Sequence, residues 1–164
     1  MDEPSAPDPA SWQFLYRSDA GRINAGTWWR GAVFLAAVLA ALTFGLVYVL
    51  PYAKHDLGKT PLLSVSAFGA NVYILFYVFA LMLIGVCYYN LSAKRWSDIG
   101  RPPALAGLLP FLALLSGALH LLEARVGTSL PHAIPVIVDI VLVLTLFWNI
   151  IDLGGLISKL QHRD

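Results

Sequence analysis

The first residues of this sequence that could do chemistry form a basic group around one carboxylate. They flank long apolar runs and would lie at one end of the helices: Arg22, Arg30, Lys94, Arg95, Asp98 and Arg101. An arginine can bind a carboxylate or a phosphate through two parallel hydrogen bonds. The basic group could have one of three roles. It could be a solvated loop that only sets membrane orientation, or it could bind anionic lipid headgroups. The third role is structural, with an ion pair of Arg22 or Arg95 with Asp98 that joins two helices.

A second group combines imidazoles with carboxylates. His120 and Glu123 are three residues apart and share a helical face, and His132 precedes Asp139 by seven residues. Histidine and carboxylate side chains ligate zinc and similar metals. This spacing is also common at helix ends, and the single cysteine, Cys87, lies within an apolar run. His120, Glu123 and His132 are therefore weak metal candidates, and we predict no cofactor.

Asp139 lies six residues inside the last apolar run, which is a depth of about 9 Å along a helix. An ionisable group at that depth normally faces other helices or a wet cavity. Its candidate partners are His120, Asn71 and Lys54. We predict a buried polar anchor or a protonatable site. The alternative is that Pro135 lets the helix begin later, which would leave Asp139 at the membrane surface.

The composition indicates what must hold these groups in place. Of the 164 residues, 58% are hydrophobic and 13% are charged, and the mean hydropathy is +0.68. A soluble domain of this length has too little interior to hide so much apolar surface, whereas a lipid bilayer solvates it. The net charge of +1 gives no general basis for binding nucleic acid. We therefore predict an all-α integral membrane four-helix bundle.

Four apolar segments are long enough to cross a bilayer as helices. They cover residues 31–52, 67–91, 104–122 and 133–151. Pro110 is expected to kink the third segment. Residues 1–11 are predicted to be a disordered acidic leader, and residues 156–164 a cytoplasmic tail. Between the leader and the first span, aromatic residues and glycines predict a short segment that lies in the membrane interface.

Four spans place both ends of the chain on one side of the membrane. Eight of the 11 Lys and Arg residues fall on that side and three on the other. Because basic loops favour the cytoplasm, both termini are predicted to be cytoplasmic. The same boundary holds the tryptophans, which predict an interfacial aromatic belt: Trp12, Trp28, Trp29, Trp96 and Trp148.

Two motifs resemble those of the domain-of-unknown-function 805 family, which comprises small multi-span proteins of the bacterial inner membrane. Gly21-Arg22-Ile23-Asn24, followed by Trp29, resembles its G-R-x-(N/S)…W motif, and Lys94-Arg95-Trp96-Ser97-Asp98-Ile99-Gly100 resembles its (K/R)-R-L-H-D-x-G loop. Ser97 replaces the family histidine, so any proton chemistry of that histidine would be lost here. The resemblance implies a location in the bacterial inner membrane and a fold, and it implies no established reaction.

The leading functional prediction is a non-enzymatic scaffold or accessory subunit. Its basic cytoplasmic rim would bind a membrane-protein partner, a second copy of the chain or anionic lipid. The alternative is an oligomeric transporter or channel that uses Asp139, since four spans enclose a pore only by assembling. A third hypothesis is a lipid-modifying membrane enzyme, for which His120, Glu123, His132 and Asp139 would have to supply the acid and base.

Overall fold

The computed structural model describes residues 11–53, 65–126 and 131–155. Every regular element within these ranges is helical: α1 (Trp12–Arg17), α2 (Ala25–Ala53), α3 (Val65–Asp98), a 3₁₀ helix (Pro103–Gly107), α4 (Leu108–Val126) and α5 (Ala133–Leu153). Four helical segments are long and apolar enough to cross a membrane. The predicted all-α fold with four spans is thus confirmed, whereas residues 1–10 of the predicted leader and the predicted tail lie outside the described residues.

The helices α2 and α3 extend beyond the predicted spans. The side chain of Asn24 accepts a hydrogen bond from the backbone N–H of Thr27 at 2.8 Å, so Asn24 caps the start of α2 six residues before the predicted span. At the other end of the hairpin, α3 continues through Lys94 and Arg95 to Asp98. Much of the expected basic loop is therefore helix, and the turn at Gly100, with φ of 74°, follows it.

The third span begins as a 3₁₀ helix and becomes α-helical at Leu108. Pro110 lies in the first turn of α4, where its missing N–H removes no intrahelical hydrogen bond. The position at which the sequence predicted a kink is therefore next to the junction between the two helix types.

The four long helices form two hairpins, because α2 packs along α3 and α4 packs along α5. The hydrophobic core lies at one end of these hairpins, where α1, the 3₁₀ helix and the last turns of α3 meet: Ile23, Trp28, Leu35, Leu91, Ala93, Trp96, Ala106 and Leu153. We call this the Lys94 end, and we call the opposite end, where α4 finishes and α5 begins, the Asp139 end.

Away from the Lys94 end, the helices expose most of their apolar surface. Only 6% of the most apolar window of α2 and of α3 is buried, and 17% of the corresponding windows of α4 and α5. A soluble protein would bury these windows in its interior. The exposed faces are suited to contact lipid tails or the helices of another protein.

The five tryptophans do not share one environment. Trp12 is 62% exposed, as an interfacial side chain would be, whereas Trp28 and Trp96 are buried in the core. The predicted aromatic belt is therefore wrong for these two residues. They are buried because α2 starts early and α3 ends late, which brings both indoles between the helices.

Candidate functional site

Lys94 is the central residue of the Lys94 end, and its side chain is completely buried. Its ammonium group donates hydrogen bonds to the carbonyl oxygens of Leu15 at 3.2 Å, Asn90 at 3.2 Å and Ser18. It also lies 5.1 Å from the centre of the Phe14 ring. Leu15 and Ser18 carry the unpaired carbonyls at the end of α1, so Lys94 caps that helix from α3.

Two neutral side chains complete the attachment of α1. The Asn90 amide, one turn before Lys94, donates to the Tyr16 carbonyl at 2.7 Å. The Tyr16 hydroxyl donates to the carbonyl of Gly31 in α2 at 3.3 Å. Burial, together with the nearby Cys87, raises the pKa of the Tyr16 phenol, so the group stays a neutral donor. Helix α1 is therefore bound to both α2 and α3.

Arg95 holds the end of α5 in a similar way. Its Nε donates to the carbonyl of Leu153 at 3.0 Å, while its guanidinium forms an ion pair with Asp98. Trp29 of α2 donates from its indole N–H to the carbonyl of Gly154 at 3.3 Å. Positive and donor groups are favourable at a helix C-terminus, where the carbonyls lack partners. The last turn of α5 is thus fixed by both α2 and α3.

The predicted ion pair of Asp98 is present, but it does not join two helices. Arg95 and Asp98 are three residues apart in α3. The pair that does cross between elements is Arg101 with Asp152, whose oxygen lies 2.6 Å from Nη1 of Arg101. Arg22 and Arg30 are exposed and form no ion pair with any other described residue. The basic group therefore contains buried residues, Lys94 and Arg95, and exposed ones, Arg22 and Arg30, which we call the free arginines.

The buried indoles are held by specific contacts. The Trp28 N–H donates to the Ser92 hydroxyl at 3.2 Å, which links α2 to α3. The Trp96 ring packs against Trp148 of α5, with 5.2 Å between ring centres, and Arg101 lies over its face. Both indoles thus connect α3 to a neighbouring helix, which gives them a structural role at this end.

At the Asp139 end, the carboxylate of Asp139 has two partners on α4. The Ser116 hydroxyl donates to Oδ1 at 2.5 Å, and Nε2 of His120 lies 2.9 Å from Oδ2. Ser116 and His120 are four residues apart, so they project from the same helical face toward Asp139. The predicted pairing of Asp139 with His120 is therefore observed.

The polar contacts continue from His120 toward the start of α5. Nδ1 of His120 lies 3.7 Å from Oε2 of Glu123, and Oε1 of Glu123 lies 2.5 Å from Nδ1 of His132. Glu123 thus lies between His120 and His132, the other two weak metal candidates. No set of three such ligands in the described part of the chain has a geometry that could hold a metal ion.

Of the two other candidate partners of Asp139, the structure describes only Asn71. Asn71 donates to the carbonyl of Ala67, one turn earlier in its own helix, at 2.8 Å, whereas the described hydrogen bonds of Asp139 are with Ser116 and His120. Lys54 lies outside the described residues, as do His55 and Asp56 of the same segment. Among the described residues, the side chains that bind Asp139 therefore come from the α4–α5 hairpin.

Several residues of these sites were missed at the sequence level, although the spacing contained a signal. Asn90 and Lys94 are four residues apart, and so are Ser116 and His120. Polar residues at that spacing in an apolar helix mark one shared face. Asp152 carried no comparable signal, because its partner Arg101 is 51 residues away.

Comparison of the chain with protein-family models, with curated proteins and with solved structures gave no match. The resemblance to the domain-of-unknown-function 805 family therefore stays a prediction.

Proposed function

We propose that this protein is a non-enzymatic scaffold or accessory subunit of a membrane, which associates through its α4–α5 hairpin. The observation that carries the proposal is the exposure of an ionisable pair on that hairpin. The side chains of Asp139 and His120 are 40% and 48% exposed in the single chain, although both belong to segments that can span a membrane. Ionisable groups in spans normally face protein or a wet cavity, so another helix is expected to cover them.

The apolar faces of the same hairpin support association. Val136, Ile140, Val143 and Leu144 border a shallow recess beside Asp139. These residues and Asp139 repeat at helical spacing, so they form one side of α5. A partner helix placed there would cover the carboxylate and fill the recess in one step.

The free arginines at the Lys94 end suit a second contact, with anionic lipid headgroups. Arg22 and Arg30 are exposed and lie at or just before the first turns of α2. Each basic residue near an anionic surface contributes about 1 kcal/mol to binding. Lys94 and Arg95 do not belong to this surface, because both side chains are buried and bind carbonyl or carboxylate groups of the protein itself.

The proposal includes a location in the bacterial inner membrane, with the Lys94 end in the cytoplasm. Its support is the excess of basic residues on that side of the sequence and the resemblance of two motifs to the domain-of-unknown-function 805 family. Cysteine accessibility at both ends of the hairpins tests the orientation. An Arg22→Cys variant in a Cys87→Ala background should react only when a labelling reagent can reach the cytoplasm.

Native mass spectrometry of protein extracted gently from its own membrane tests the association. We expect a defined oligomer or a fixed complex with another protein. The double variant His120→Leu and Asp139→Leu should dissociate it, because the polar groups that need cover are gone. Ile140→Leu, a conservative change at an exposed residue of the same helix, is the matched control. A wild-type protein that is a lone monomer would contradict the proposal.

A second candidate function is an oligomeric transporter or channel. The observation that favours it is the contact of Asp139 with His120 and Ser116, which provides a protonatable group within a span. Proteoliposomes test this function directly. Ion or proton flux that Asp139→Asn abolishes would support a transporter, and no flux from a confirmed oligomer would exclude it in favour of the scaffold.

A further inference from the structure

Five polar side chains at the Asp139 end form a series in which one separation is longer than a hydrogen bond. They lie in the order Ser116, Asp139, His120, Glu123 and His132, with successive separations of 2.5, 2.9, 3.7 and 2.5 Å. His132 stands at the N-cap position of α5, and its side chain is 76% exposed. Asp139 lies about two helical turns further along α5. The series therefore connects the hairpin's outer surface with a carboxylate inside a span.

We propose that the α4–α5 hairpin carries a proton half-pathway that leads from His132 through Glu123 and His120 to the Asp139 carboxylate. All of its groups belong to one chain, so it does not depend on the association proposed above. The pathway carries protons. Its function is to protonate and deprotonate the Asp139 carboxylate from one side of the membrane.

The transfers balance as a series of single proton movements. The exposed imidazole of His132 takes a proton from water and passes the one on Nδ1 to Oε1 of Glu123. The carboxyl group of Glu123 then flips so that the protonated Oε1 faces His120 and gives its proton to Nδ1 of His120, which releases the proton on Nε2 to Oδ2 of Asp139. Glu123 is again a carboxylate, and the net change is one proton moved from water to Asp139. Each imidazole has changed tautomer and is reset by ring rotation or by the reverse transfer.

Glu123 controls the slowest step of this series. The separation of 3.7 Å between Glu123 and His120 exceeds a hydrogen bond, whereas the other separations do not. The carboxyl group of Glu123 must therefore flip about its Cγ–Cδ bond, which carries the proton on Oε1 from the His132 side to the His120 side. Its two oxygens face two different histidines, so the flip exchanges the protonated oxygen between them.

The groups around Asp139 explain why the pathway ends there. On α4 it faces Ser116 and His120, with Glu123 beyond them, and His132 is the other titratable group on its own helix that joins the series. The charged residues of α3 lie at the opposite, Lys94 end. One turn beyond Ser116 comes Leu112, which is buried and apolar, so the described residues offer no next acceptor in that direction.

Time-resolved infrared spectroscopy of the full-length protein in lipid nanodiscs tests the pathway. The band of the protonated carboxyl group of Asp139 is identified by its loss in Asp139→Asn, and its appearance is followed after a rapid drop in pH. Glu123→Gln keeps a hydrogen-bonding side chain but cannot relay a proton, so it should slow the protonation of Asp139 by about 100-fold. His132→Gln should slow it similarly.

Two variants separate relay from structure. Glu123→Asp keeps a titratable carboxyl group and should restore much of the rate. Ile137→Leu, a conservative change at an exposed residue of α5 outside the series, should leave the rate within about two-fold of wild type. Rapid protonation in Glu123→Gln, an unaffected rate in His132→Gln, or an Asp139 carboxyl that never changes protonation would each overturn the proposal.

Discussion

The ammonium group of Lys94 donates to the carbonyl oxygen of Leu15 at 3.2 Å, across 79 residues of sequence. A buried lysine is unusual, because burial of an unpaired charge is unfavourable. Here three carbonyl oxygens and the face of an aromatic ring surround the charge. The group therefore acts as a helix cap supplied by another helix, and it fixes α1 at the Lys94 end.

Replacement of Lys94 by methionine tests this cap. The variant keeps an apolar side chain of similar length but leaves the carbonyls of Leu15 and Ser18 without their donor. We expect the free energy of unfolding to fall by about 1–3 kcal/mol, with release of α1 first. Denaturant unfolding in detergent, followed by the fluorescence of the exposed Trp12, measures the change. Arg30→Met, at an exposed site, is the control and should change the free energy of unfolding by less than about 0.5 kcal/mol. An equal loss of stability in Lys94→Met and Arg30→Met would contradict the cap.

The different room beside Gly31 and Gly85 predicts opposite effects of alanine at these two glycines. A Cβ atom at Gly31 would lie 2.8 Å from Leu91 and 3.2 Å from the Tyr16 hydroxyl, so Gly31→Ala should destabilise the protein by about 1–3 kcal/mol. At Gly85 the nearest atom would be in Pro110, at 3.7 Å, which is an ordinary contact. Gly85→Ala should therefore stabilise α3 by about 0.5–1 kcal/mol. Thermal unfolding of both variants shows whether each alanine raises or lowers the stability. A Gly85→Ala variant that is less stable than wild type would contradict this packing.

The different environments of Trp96 and Trp12 predict unequal losses on truncation. Trp96 is completely buried against Trp148, so Trp96→Ala should lower the free energy of unfolding by about 3–5 kcal/mol. Trp12→Ala should cost far less, because the indole is 62% exposed. Equilibrium unfolding monitored by circular dichroism compares the two variants. Similar small losses would favour the original aromatic belt, in which both rings sit at the membrane surface.

The free arginines predict a loss of bound anionic lipid when they are neutralised. The double variant Arg22→Gln and Arg30→Gln removes two exposed charges, each of which contributes about 1 kcal/mol, so affinity for phosphatidylglycerol vesicles should fall roughly 30-fold. Vesicle flotation or native mass spectrometry of retained lipid measures it. His120→Gln, at the opposite end, is the control. Unchanged lipid binding would leave the arginines with a role in orientation alone.

The sequence predicted those features that depend on local composition or spacing. Apolar length identified the four spans, and depth in the last span marked Asp139 as a residue that needs a partner. The sequence analysis was wrong for Lys94, Trp28 and Trp96, which it assigned to a solvated loop or to the membrane interface. Their burial depends on where α2 starts and α3 ends, and on contacts over more than 60 residues, such as Trp28 with Ser92. Composition carries no information on such contacts, because the same residues also suit a membrane surface.

The cap on α1 has a consequence for the order in which the protein is made. The donors that hold α1, Asn90 and Lys94, lie 74 to 79 residues downstream of the carbonyls they bind. During synthesis from the N-terminus, α1 and the start of α2 therefore leave the ribosome well before their partners exist. The aromatic side chains of α1 can hold it at the lipid surface during this interval. Insertion of α3 then supplies these donors and makes α1 part of the folded core.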